Sequence, residues 1–109
     1  MTGLVLSELA CVLFVPGHRP DRFDKARNAS PDGIVIDLED AVPAPDKAAA
    51  REAASTYLAG AGDGPPVMVR LNALGTRASL DDLAAVADRR LKPAGLFLSK
   101  VEEARATIK

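Results

Sequence analysis

Four short apolar runs constrain this chain more than any other feature. They are Cys11-Val12-Leu13-Phe14-Val15, Gly33-Ile34-Val35-Ile36-Asp37-Leu38, Val67-Met68-Val69-Arg70-Leu71 and Gly95-Leu96-Phe97-Leu98. Each is bounded by Gly, Pro or charge and is rich in β-branched residues, Leu or Phe, so each reads as a strand. The apolar residues run on rather than alternate with polar ones. Strands of that kind are covered on both faces, as in parallel sheets.

Parallel neighbours need long crossovers, and the intervening segments carry helix signatures. Pro20 suits the first turn of a helix running to about Ala29, with Phe23 and Ala26 on one face. Asp46 is positioned to cap a second helix reaching about Leu58, whose apolar positions 50, 53, 54, 57 and 58 form a stripe. Gly60 and Gly62 stop it. Ser79 with Asp82 resembles a capping box at the start of a third helix, with Leu80, Leu83, Ala84, Ala87 and Leu91 as its expected inward face. Lys92-Pro93 ends it, and a fourth helix is expected from near Glu102. The resulting βαβαβαβα order predicts an α/β fold with a parallel sheet in one domain, residues 1–109. Four such units are half of an eight-unit barrel; a four-stranded open sheet is the competing architecture.

Composition narrows the function classes. Fourteen Lys and Arg against fifteen Asp and Glu in 109 residues give a net charge of −1, with no field to hold nucleic acid or an anionic membrane. Aromatic residues are 4% with no Trp, which argues against a base-stacking surface. The single cysteine, Cys11, excludes an internal disulfide framework and reads as a small core residue, leaving the cytoplasm as the expected compartment. The apolar run from Ala10 to Pro16 is too short to span a bilayer.

In α/β folds chemistry sits beyond the carboxyl ends of the strands. Charged and polar residues cluster there. Gly17-His18-Arg19-Pro20-Asp21-Arg22 follows the first strand, Glu39-Asp40 the second, Arg70 and Asn72 close the third, and Lys100 and Glu102 follow the fourth. Asp37 and Glu39 alternate with Leu38, so both carboxylates point the same way. Buried carboxylates are costly unless paired, and Arg70 on the adjacent strand is their natural partner. An Arg braced in this way keeps donors for a substrate carboxylate. A plain buried ion pair and a divalent-metal site are the alternatives. Arg19, Arg22, Lys25 and Arg27 form a basic cluster suited either to a phosphate or to a solvated face answered by Asp21 and Asp24. His18, the sole histidine, has no nucleophilic partner, so a catalytic triad is not expected.

Five motifs together resemble the citrate lyase beta-subunit family of the aldolase/citrate lyase group, which includes malyl-CoA lyases. They are Leu13 through Phe23, Ile36 through Pro43, Asp46 through Arg51, Val69 through Thr76 and Leu98 through Glu102. The resemblance implies the first four units of a (β/α)8 barrel. It also implies a magnesium-dependent lyase that cleaves a 3-hydroxyacyl thioester, of citryl-, citramalyl- or malyl-CoA type, into an acetyl-thioester and a 2-oxo acid. By similarity, Arg70 contacts the oxo acid, while Phe14, Arg19, Lys25 and Arg70 bind substrate. Glu39 and Asp40 orient Arg70 and metal-bound water.

The family's two metal-binding carboxylates lie on later strands, so no metal ligand is assigned here. The 109-residue chain is therefore expected to show no lyase activity alone and to self-associate or join a complementary half barrel. A non-catalytic binder of CoA or oxo acid, and an open-sheet binding domain, are the competing functions.

Overall fold

The structure is a computed structural model that describes residues 11–60, 62 and 64–98. The expected helix near Glu102, and Lys100 and Glu102 themselves, lie outside the described residues. Seven elements alternate: β1 (Val12–Pro16), α1 (Asp21–Asn28), β2 (Gly33–Asp37), α2 (Lys47–Gly60), β3 (Val67–Leu71), α3 (Arg77–Ala87) and β4 (Gly95–Leu98). A 3-10 turn, Ala44–Asp46, leads into α2.

All three strand pairings are parallel and the order is β1-β2-β3-β4, with no reversal. One face of the sheet packs on the helices. Ile34, Ile36 and Leu38 alternate onto it from β2, Val67, Val69 and Leu71 from β3, and Phe23, Ala26, Ala50 and Ala54 meet them from α1 and α2. Buried alanines on α2 let that helix lie close against the sheet.

The opposite face carries Phe14, Val35, Met68 and Phe97 below Asp37 and Arg70. Three strand spacings would hold β1 and β4 about 14 Å apart in a flat sheet. Instead the Phe14 and Phe97 rings stand edge to face with centroids 5.8 Å apart. The sheet is therefore curled, and this face is concave. Sequential parallel order and curling make it the expected half barrel and set the open sheet aside.

Three expectations need correction. Cys11 is exposed, because it precedes an edge strand rather than lying within a covered one. Thr76, not Ser79, caps α3: its side chain accepts the Ser79 backbone N–H. The buried face of α3 is Ser79, Asp82 and Ala85, whereas Leu80 is 63% exposed and Leu83 40%. The helix turns a polar pair inward because Asp82 finds strong partners there, described below.

Candidate functional site

Parallel register places Asp37, the last residue of β2, directly beside Arg70 on β3. The guanidinium meets the carboxylate with two bonds: Arg70 Nε donates to Asp37 Oδ1 at 2.9 Å and Nη2 donates to Oδ2 at 2.6 Å. The same carboxylate accepts the backbone N–H of Glu39 at 2.8 Å and of Ala41 at 3.1 Å. Asp37 thus shapes the acidic loop and aims Arg70 at once.

Glu39 Oε1 lies 4.0 Å from Arg70 Nε. Asp40 is exposed and acts on Arg70 only through its charge. The Arg70 side chain remains 26% exposed and sits over the Phe14 ring, 5.5 Å from its centroid. Two of its five N–H donors are held by Asp37, which leaves three without an acceptor among the described residues.

Electrostatics follow from this arrangement. Hydrogen bonding to Asp37 raises the Arg70 guanidinium above its ordinary value, so it stays cationic. Burial pushes the Asp37 carboxyl up and is the largest single influence. The Arg70 bond and the two backbone N–H groups together outweigh it, holding the group below its ordinary 3.8. An unfolded Asp37 would titrate near its ordinary value, so its stabilising contribution is complete above about pH 4. The contribution is lost as pH falls through the lower folded value. Urea midpoints measured down from pH 5 should therefore drop in the parent chain. They should drop less steeply in Asp37→Asn, which starts from a lower plateau; equal slopes would contradict the assignment.

The other predicted residues divide. Phe14 and Lys25, with Arg22, line a groove of about 410 Å³ beside β1. Arg19 is not among its lining residues. It is exposed and paired through Nε and Nη2 with Asp21, at 3.1 and 3.0 Å. The local basic cluster is therefore split, because one arginine is answered by its own neighbour. No three His, Cys, Asp or Glu side chains converge to hold a metal ion among the described residues. Both Asp37 oxygens are taken by Arg70 and the loop N–H groups. The acidic cluster does not fit a magnesium site on its own.

Several supporting residues escaped the sequence reading. Lys47, at the start of α2, donates through Nζ to the carbonyl oxygens of Leu38 at 3.1 Å and Glu39 at 2.9 Å, tying down the acidic loop. Arg51 lies one turn further on and reaches Asp82. The i, i+4 spacing of these two cations beside the buried alanines was the available signal. Gly17 donates its N–H to the Asp37 carbonyl at 2.8 Å, extending the ladder past β1. His18 Nδ1 is buried without a hydrogen-bond partner among the described residues.

Comparison with known proteins bears on the family and the fold. A profile of the HpcH/HpaI aldolase/citrate lyase family matches residues 10–109. A citrate lyase subunit beta-like protein of Deinococcus radiodurans is 46% identical over 83 residues, covering 72% of this chain and 29% of that protein. A (3S)-malyl-CoA thioesterase of Cereibacter sphaeroides is 38% identical over 77 residues, covering 70% of this chain and 27% of that protein. The chain thus spans under a third of the length of these two relatives. The crystal structure of CitE from Mycobacterium tuberculosis with magnesium, acetoacetate and coenzyme A superposes with a TM-score of 0.67 at 36% identity, covering 84% of this chain and 33% of that one. With the profile matching nearly from end to end, the chain belongs to the HpcH/HpaI aldolase/citrate lyase family.

Proposed function

We propose that this chain supplies the carboxylate-anchoring part of a carbon–carbon lyase acting on a 3-hydroxyacyl thioester of citryl-, citramalyl- or malyl-CoA type. Arg70 holds the carboxylate of the 2-oxo acid. Glu39 and Asp40 flank it, and Phe14 and Lys25, with Arg19 near the same strand end, meet the CoA thioester. The observation that carries this reading is the two-point Arg70–Asp37 bond. It fixes a cation at a strand's carboxyl end on a concave face and leaves donors for an anion. The coenzyme A and acetoacetate bound by the Mycobacterium tuberculosis relative are of the chemical classes this site would take.

Magnesium, also bound by that relative, calls for carboxylates that the described residues do not bring together. The chemistry assigned to this chain is therefore holding and orienting an anion. The edges of β1 and β4, unpaired among the described residues, would be covered by self-association or by a complementary half barrel.

Titration calorimetry with oxaloacetate, with and without magnesium, tests the reading. Binding should weaken by roughly 30-fold or more in Arg70→Ala, as expected when one partner of a desolvated charge pair is removed. Unchanged affinity would sink the assignment. A non-catalytic binding role is the second reading; oxaloacetate affinity indifferent to magnesium supports it. The isolated chain should not turn over malyl-, citramalyl- or citryl-CoA with magnesium. Turnover abolished by Arg70→Ala would contradict that expectation.

A further inference from the structure

Asp82 is fully buried on α3, yet it caps no helix and lies outside the Arg70–Asp37 pair. Its Oδ1 accepts Arg51 Nε from α2 at 3.0 Å. Its Oδ2 accepts both the backbone N–H of Asn72 at 2.8 Å and the Asn72 side-chain N–H at 2.7 Å. One carboxylate thus joins two helices to the carboxyl end of β3. A buried charge persists only where donors compensate it, and here three do.

Asn72 lies two residues beyond Arg70. The Arg70 carbonyl meanwhile accepts the Leu38 N–H at 3.0 Å from the β2 side. The end of β3 is therefore gripped from both flanks. On one side is β2, whose following loop Lys47 secures; on the other is Asp82, which Arg51 secures. Lys47 and Arg51 stand one turn apart on α2, so one helix references both strand ends.

We propose that the Arg51–Asp82–Asn72 chain is a positioning device for Arg70. By fixing the end of β3, it holds the guanidinium at the angle that completes both bonds to Asp37. Its role in substrate holding rests on the reading that Arg70 binds a carboxylate. Displacing such a group by about 1 Å can cost a hundredfold in rate.

Side-chain NMR of the full 109-residue chain tests the proposal by following water exchange of the Arg70 Nε proton. In Asp82→Asn that exchange should quicken about tenfold more, through looser local opening, than the exchange of the core backbone amides of Val35 and Val69, which follows the loss of global stability. Where Asp82→Asn does not fold, Asn72→Ala replaces it. That variant removes one donor and leaves the Arg51–Asp82 pair intact, and exchange should quicken about threefold. An Arg70 rate that rises no more than those of Val35 and Val69, in whichever folded variant is measured, overturns the proposal. Oxaloacetate affinity is measured in parallel. No binding by the parent chain defeats the functional reading, while the exchange rates still decide whether Asp82 positions Arg70.

Discussion

Replacing Asp82 by alanine should destabilise the fold by about 3–5 kcal/mol, the range found when one partner of a buried ion pair is deleted. The change strands the Arg51 guanidinium, whose side chain is only 14% exposed, and removes the acceptor of two Asn72 N–H groups. A small domain holds roughly 5–15 kcal/mol in total, so the variant should melt far below the parent. Urea denaturation followed by circular dichroism measures the effect. Adding Arg51→Met should recover part of the loss, because the uncompensated charge disappears with it. A cost below about 1 kcal/mol for Asp82→Ala would show that the pair contributes no more than an exposed one.

Gly17→Ala should cost about 1–3 kcal/mol, through overpacking rather than through backbone torsion. A Cβ at this position would stand 2.9 Å from the Asp37 carbonyl oxygen and 3.0 Å from both Ala50 Cβ and Leu38 Cδ2. Two of these obstacles, a backbone oxygen and a helix alanine, cannot swing aside. Relief requires the loop after β1 to lift, which breaks the 2.8 Å bond from Gly17 N–H to Asp37. Asp37 carries Arg70, so oxaloacetate affinity should fall together with the denaturation midpoint. A variant with the parent's midpoint would mean that the loop stands clear of β2.

The Arg70–Asp37 pair was legible before any coordinates. A near-continuous apolar run ending in Asp, followed by a second run carrying an Arg, leaves one economical arrangement in a parallel sheet. The inward face of α3 was not legible. Its leucines at 80 and 83 form the better apolar stripe, yet Ser79 and Asp82 are buried instead. Hydrophobic periodicity ranks residues by type, whereas Asp82 is drawn inward by donors 31 and 10 positions away in the chain. Nothing local to α3 announces those donors. Cys11 failed for a related reason: its small apolar side chain suits a core, but it precedes an edge strand and is left exposed.

Local composition and spacing alone determined the order of elements, the parallel sheet and the residues at its carboxyl end. Those features depend on patterns within a few turns of chain. Tertiary structure decided how closely β1 approaches β2 at Gly17, which of the carboxylates at positions 37 and 39 takes both bonds from Arg70, and which carboxylate anchors the end of β3. Each of these depends on groups from separate elements competing for the same acceptor or the same space, and that competition is settled only when the elements pack.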